Sequence, residues 1–224
     1  MTETIEKVAA GKTRTAVLDT VERVSEMCFG LFMALTFVGA VAALGGSDSP
    51  QAMFNAALGC NLAWGLVDAV MYLVRTLTLR GKRLTLAMIV RDHPDPARAL
   101  EAMREALPES VHAIVEDREL ETIRARFAAS TTLPEKPRFM KQDFVGAFGI
   151  FLIVVATTFP VALPFVLMSD GKSALLVSRA LTLVMLFGGG MALGRYSGYG
   201  GWKAGFAMTG MGVALTAAII ALGG

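Results

Sequence analysis

Five long apolar stretches constrain the fold of this chain more than any other feature of its sequence. A bilayer core about 30 Å thick is crossed by roughly 20 apolar residues in helical form, and each stretch is close to that length. Because the apolar residues are continuous instead of alternating, the stretches predict helices and argue against a barrel of alternating strands. We therefore predict an all-α, polytopic membrane protein with about five transmembrane helices. The predicted spans cover residues 27–44, 52–74, 144–168, 174–193 and 201–222.

Most of the charged residues lie in one region between the second and third spans. Only 18% of all residues are charged and 54% are hydrophobic, whereas soluble domains have about 25% and about 45–50%. In this region apolar residues recur at helical spacing, interrupted near Pro94 and Pro108, which predicts two or three amphipathic helices. The predicted organisation is a cytoplasmic N-terminal segment at 1–26, spans one and two at 27–76, a cytoplasmic helical insert at 77–142, and spans three to five at 143–224.

Lysine and arginine side chains indicate the orientation, because they favour the cytoplasmic ends of spans. The segment before the first span and the insert are rich in them, and the turn between the fourth and fifth spans has Arg195 and Lys203. The turn after the first span and the tail after the fifth have none. We therefore predict the N-terminus and the insert inside and the C-terminus outside. We expect a multi-pass protein of a bacterial-type inner or plasma membrane.

One carboxylate, that of Asp68, lies inside the second predicted span. It stands six residues before Val74, the last apolar residue of that span, and therefore roughly 9 Å below the helix end. This placement costs about 2.5–3.5 kcal/mol on insertion scales, so we expect the side chain to face the bundle interior and bind a cation, a proton or a partner group. Steps of three and four residues predict Asn61, Trp64 and Met71 on the same helical face. The alternative for Asp68 is a structural hydrogen bond to another helix.

Two further carboxylates, Glu22 and Glu26, stand four residues apart just before the first span. They could line the cytoplasmic entrance through which a cation approaches Asp68. The alternative is an interfacial charged turn that Arg23 neutralises. Glu26 is the stronger candidate because it directly precedes the apolar run.

The insert offers a possible metal site at Glu109, His112 and Glu116, which follow one another at intervals of three and four residues. Carboxylates and a histidine at helical spacing can bind a divalent metal. Arginines are interleaved with these residues, however, and a solvated, salt-bridged face is the alternative.

Other function classes find little support in the sequence. A net charge of +2 is too small to indicate nucleic-acid binding. We find no metal-binding cysteine pair, no nucleotide-binding glycine loop and no nucleophile–base motif. We therefore predict that the protein is not an enzyme and has no resident cofactor.

The layout resembles the vacuolar iron transporter family. The resemblance covers about residues 22–224 and rests on five spans with a cytoplasmic insert after the second, a second span that runs from Ala57-Leu58-Gly59 into a basic extension, and glycine-rich fourth and fifth spans. It also includes the end of the third span, Phe159-Pro160-Val161-Ala162-Leu163-Pro164-Phe165. The resemblance implies a homodimer that exports Fe²⁺ or Mn²⁺ against protons, with Glu26 and Met71 on the ion path. The Asp-Gly pair of the family's first span is absent; Ser25-Glu26 stands near that position.

These observations lead to one functional hypothesis and two alternatives. The hypothesis is a dimeric secondary transporter that moves a divalent transition metal, Fe²⁺ or Mn²⁺, out of the cytoplasm in exchange for protons, with the metal as cargo. A carboxylate suits this role because a proton and a metal ion compete for the same oxygens. The alternatives are a membrane scaffold whose basic insert binds a partner or anionic lipid, and a cation channel.

Overall fold

A computed structural model of the protein describes residues 18–43, 49–112, 114–130 and 133–221, and within them all regular structure is helical. The helices are α1 (Thr20–Ala43), α2 (Pro50–Asp92), α3 (Pro96–Ala106), α4 (Glu109–His112), α5 (Asp117–Ser130), α6 (Lys141–Leu167), α7 (Gly171–Tyr196) and α8 (Gly201–Ala221). Five of them, α1, α2, α6, α7 and α8, are long and apolar enough to cross a membrane. The prediction of an all-α, multi-pass membrane protein is confirmed at this level.

The first membrane helix begins seven residues before the predicted start at Met27, because Asp19 and Glu22 form a capping box that starts the helix after Asp19. The backbone N–H of Glu22 donates to Asp19 Oδ1 at 2.7 Å, and the N–H of Asp19 donates to Glu22 Oε2 at 2.9 Å. Each side chain thus satisfies a backbone donor that the first turn of a helix leaves free.

Helix α2 is far longer than the predicted second span. It runs without a break for 43 residues, which is about 64 Å and roughly twice the thickness of a bilayer core. The boundary between the second span and the insert was predicted after residue 76, but residues 75–91 are mostly good helix formers, so the helix continues after the apolar stretch ends. It ends at Asp92. The next residue, His93, precedes Pro94, and the helical conformation is disfavoured for a residue that precedes a proline.

The chain divides into two compact units. One consists of the chain up to Tyr72 and from Gln142 onward, and the other is Leu73–Lys141. The first, here called the membrane unit, contains α1, the first half of α2, and α6 to α8. Its core joins four helices through a cluster that includes Val38, Met53, Ala162 and Ala174.

Helices α7 and α8 form a tight hairpin in the membrane unit. Gly198 and Gly200 lie between them with φ values of 74° and 89°, which other residues rarely adopt. A Cβ added to Gly190 would lie 2.6 Å from the carbonyl oxygen of Ala204 and 2.9 Å from Gly205 Cα. The two backbones therefore touch, as small residues permit in membrane helices.

The second unit, here called the insert unit, is built from the end of α2 and helices α3 to α5. Asp95 caps α3 by accepting a hydrogen bond from Ala97 N–H at 2.9 Å, and a proline occupies the first helical turn. Arg104 of α3 holds the following turn in place, since its guanidinium donates to the carbonyl oxygens of His112 at 2.8 Å and Val115 at 3.2 Å. It also pairs with Asp117 at 2.7 Å.

Candidate functional site

Asn61 ties three membrane helices together. Its side chain is fully buried, and its Nδ2 donates to the carbonyl oxygen of Gly30 in α1 at 3.3 Å. The same nitrogen donates to the hydroxyl of Thr158 in α6. The Thr158 hydroxyl in turn donates to the carbonyl oxygen of Val154 at 3.2 Å. Hydrogen bonds of this kind link helices inside membranes, where water is absent.

Gly30 permits this junction because α1 and α6 approach each other closely there. A Cβ added to Gly30 would lie 2.5 Å from Thr157 Oγ1 and 3.2 Å from the carbonyl oxygen of Val154. The Thr157 hydroxyl is occupied by a 2.8 Å hydrogen bond to that carbonyl oxygen. A larger residue at position 30 would push the two helices apart and break the contact with Asn61.

Two buried oxygens near this junction have no hydrogen-bond partner among the described residues: Asn61 Oδ1 and Asp68 Oδ2. Seven residues separate them, which is almost two helical turns and about 10 Å. Both therefore lie on one side of α2. Gly65, between them, faces α6, where a Cβ would lie 3.2 Å from the ring of Phe151. The three residues Asn61, Gly65 and Asp68 are called the polar stripe below.

The contacts between helices show their relative directions. At successive contacts between α1 and α6, the residue numbers of both helices increase together. At successive contacts between α2 and α6, the number increases in α2 and decreases in α6. Leu18, two residues before α1, adjoins Gly149, and Gly30 of α1 adjoins Thr157 of α6. Between α2 and α6 the adjoining pairs are Asn61–Thr158 and Tyr72–Gly146. Helices α1 and α2 are therefore antiparallel, and α6 runs with α1.

This register gives the depth of Asp68. Counting seven residues from the Asn61–Gly30 hydrogen bond places Asp68 at the level of Arg23 on α1. The predicted entrance residues Glu22 and Glu26 therefore lie within about one turn of the level of Asp68. The register thus shows a similar depth for Glu22, Glu26 and Asp68.

The two entrance glutamates differ in their surroundings. Glu22 forms the capping box with Asp19, so its carboxylate already has a structural role at the start of α1. Glu26 is half-buried, one turn further into the membrane helix. Glu22 is likewise half-buried, and Glu26 also has an interaction within the protein.

The structure separates Met71 and Trp64 from the polar stripe. Met71 is 55% exposed and Trp64 is 44% exposed, whereas Asn61 and Gly65 are buried. Their angular positions on α2 lie at the edge of the face that contacts α6. The predicted single face therefore holds for Asn61 and Asp68 and does not include the thioether of Met71.

The predicted metal site of the insert is not assembled in the described part of the chain. His112 Nε2 lies 3.0 Å from the carbonyl oxygen of Leu107, and the backbone N–H of Glu116 donates to Glu119 Oε2 at 3.0 Å. Within those residues no group of three or more His, Cys, Asp or Glu side chains is placed to hold a metal ion. Glu109 opens the short helix α4. The contact with a backbone carbonyl thus accounts for the His112 ring, while only the backbone of Glu116 takes part in its turn.

Arg179 is a charged residue within a membrane helix that was not among the predicted site residues. It lies in α7, and its Nε is buried without a hydrogen-bond partner among the described residues. Its side chain reaches α1, because a Cβ at Gly39 would lie 3.9 Å from an Arg179 Nη. Gly39 and Arg23 are sixteen residues apart, so Arg179 and Asp68 differ by about 24 Å in depth. The signal was available: Arg179 is the only charged residue between Lys172 and Arg195.

A cleft of about 400 Å³ lies elsewhere in the membrane unit, near the hairpin of α7 and α8. Its lining includes Val21, Tyr196, Ser197 and Met208, and Asp68 is not among its lining residues.

Comparison of the sequence with protein-family models and with curated proteins gives no match. The site must therefore be interpreted from its own chemistry.

Proposed function

We propose that the protein is a membrane transporter that exports a divalent metal ion in exchange for protons, with Asp68 as the site that both cations share. The observation that carries the proposal is the buried Oδ2 of Asp68, which has no donor among the described residues. A carboxylate at membrane depth needs a compensating charge or donor. A bound proton or metal ion supplies that compensation.

The composition of the polar stripe favours a cation that prefers oxygen ligands. Asp68 offers a carboxylate oxygen, and Asn61 offers an amide oxygen that is likewise buried and without a donor. Carboxylate and carbonyl oxygens suit Mn²⁺, whereas thioethers suit softer metals. Because Met71 is more than half exposed, Mn²⁺ is a better first cargo to test than Fe²⁺. The resemblance in layout to the vacuolar iron transporters supports the same class of ion.

Coupling to protons follows from the chemistry of one carboxylate. Protonated Asp68 is neutral and holds no metal, while ionised Asp68 attracts one. A proton that arrives from outside displaces the metal, and loss of that proton restores the metal site. The two unpartnered oxygens are about 10 Å apart along α2, which is too far for one ion to contact both. The Asn61 oxygen therefore serves as a second binding position for the metal ion.

A structural role for the polar stripe is the competing function, and the hydrogen bonds of Asn61 favour it. They join α1, α2 and α6 in the manner of an interhelical strut. On this reading the protein is a scaffold, and loss of Asp68 would weaken assembly without changing any flux.

Metal flux into proteoliposomes distinguishes the two functions. Purified wild-type protein is compared with Asp68→Asn, Asp68→Glu and the surface control Glu101→Gln, using a Mn²⁺-sensitive dye and an imposed pH gradient. We expect the Asp68→Asn rate to fall about tenfold or more while the variant stays folded, with Glu101→Gln unchanged. Wild-type flux in folded Asp68→Asn would refute the assignment of Asp68. A wild-type protein that moves no Mn²⁺ or Fe²⁺ would favour the scaffold, and flux that ignores the pH gradient would favour a channel.

A further inference from the structure

The insert unit contains an apolar cavity of about 360 Å³. Residues of α2, α3 and α5 line it with aliphatic and aromatic side chains, and it is open to solvent. They include Leu86, Val90, Met103, Ile123 and Phe127, with Arg83 as the single charged lining residue. A volume of this size lies within the range of small-molecule sites, about 300–1,000 Å³.

Arg83 gives the cavity a cationic rim. The residue is exposed, and it forms no ion pair or hydrogen bond with any residue that the structure describes. It also lines a second cleft of about 690 Å³, together with Lys82 and Glu105. The guanidinium is permanently charged and presents paired donors that fit a carboxylate. An apolar cleft is thus lined by one exposed guanidinium that pairs with no described residue, so its solvent-facing donors are available to an anionic ligand.

We propose that this cavity binds the chain of a long-chain fatty acid, with its carboxylate on Arg83. A neutral apolar molecule would gain nothing from the exposed guanidinium, whereas a carboxylate would form a charge-assisted pair with it. A two-chain lipid would need more room than a cavity of about 360 Å³ offers. A single acyl chain ending in a carboxylate satisfies both features. The chain removes its apolar surface from water among Leu86, Val90 and Phe127, and the carboxylate accepts hydrogen bonds from Arg83.

Photolabelling of the full-length protein tests this site. The protein is reconstituted in phosphatidylcholine nanodiscs and exposed to a palmitate analogue that carries a photoreactive diazirine, and the labelled peptides are mapped by mass spectrometry. We expect labels on peptides of α3 and α5. Arg83→Ala should reduce them about tenfold, since it removes a charge-assisted pair. Lys82→Ala is the matched control, because Lys82 lines only the second cleft, and it should label like the wild type.

The chemistry of the probe gives an independent control that needs no variant. Excess palmitate should suppress the labels on α3 and α5, whereas its methyl ester, which lacks the carboxylate, should not. Labelling restricted to the membrane helices would overturn the proposal. Equal labelling of Arg83→Ala and wild type, or equal competition by the methyl ester, would also overturn it. None of these results bears on Asp68 and metal flux.

Discussion

Asn61 and Asp68 lie on one side of α2, seven residues apart, and each has a buried side-chain oxygen that accepts no hydrogen bond from any described residue. The two residues differ in what surrounds the rest of the side chain. The amide nitrogen of Asn61 joins α1 and α6, which accounts for its burial. Asp68 has no such explanation within the described residues, and for that reason it carries the functional proposal.

The hydrogen bond between Asn61 and Thr158 should contribute measurably to stability. We expect a double-mutant cycle with Asn61→Ala and Thr158→Val to give a coupling free energy between about 0.6 kcal/mol, the mean for interhelical hydrogen bonds in membranes, and about 1.7 kcal/mol, the maximum. The unfolding free energy in mixed micelles measures it. A coupling near zero would show that this bond does not hold α2 to α6.

Substitution of Gly30 should be more harmful than substitution of an open glycine on the neighbouring helix. In Gly30→Ala the new Cβ meets Thr157 Oγ1 and the backbone of Val154, and such overpacking costs about 1–3 kcal/mol. At Gly59 a Cβ meets nothing within 4 Å, so Gly59→Ala is the matched control. Thermal unfolding in detergent compares the two, and equal midpoints would contradict the close approach of α1 and α6.

The hairpin of α7 and α8 offers a second matched pair of glycines. Gly190→Ala directs a Cβ at the backbone of Ala204 and Gly205, whereas Gly188→Ala, two residues away, meets nothing within 4 Å. Because a backbone contact cannot be relieved by a side-chain rotation, Gly190→Ala should lower the unfolding midpoint and Gly188→Ala should leave it nearly unchanged. A reversed order would mean that α7 presents a different face to α8.

The cap of α7 should depend on pH through Asp170. The hydroxyl and backbone N–H of Ser173 donate to this carboxylate and lower the pKa of Asp170 below its usual 3.8. A lowered pKa in the folded protein means that the cap stabilises α7 above about pH 4 and is lost as the pH falls through the folded value. The difference in unfolding midpoint between wild type and Asp170→Ala should therefore be present at pH 7 and shrink toward pH 3. A difference that stays constant would contradict this role.

The membrane helices could be predicted from the sequence because the bilayer imposes one length and one composition on each of them. Where a local signal marks a helix end, the sequence also contained it, as with Asp19 and Glu22 at the start of α1. The end of α2 was placed too early because apolar character ends near Val74 while helix propensity does not. Hydropathy indicates whether lipid or water surrounds a helix, and it does not indicate where the helix ends.

The site could be predicted only in part, since its geometry depends on contacts between distant segments. Asp68 stands out in the sequence as an isolated charge in an apolar span. The bond from Asn61 to Thr158 joins residues 97 positions apart, and no local pattern reveals that register. Met71 was grouped with Asp68 by helical spacing alone, yet spacing does not say which edge of the helix the neighbours cover. The spacing of Glu109, His112 and Glu116 could not reveal that His112 Nε2 contacts the backbone carbonyl of Leu107.

Proton movement during metal transport is the most direct measurement of the central claim. Proteoliposomes that contain a pH-sensitive dye receive Mn²⁺ on one side, and the proton flux is recorded together with the metal flux. We expect Mn²⁺ entry to drive protons out of the vesicles, and we expect Asp68→Asn to abolish both fluxes while Glu101→Gln preserves them. Mn²⁺ flux without proton movement, or an unchanged proton flux in folded Asp68→Asn, would contradict it.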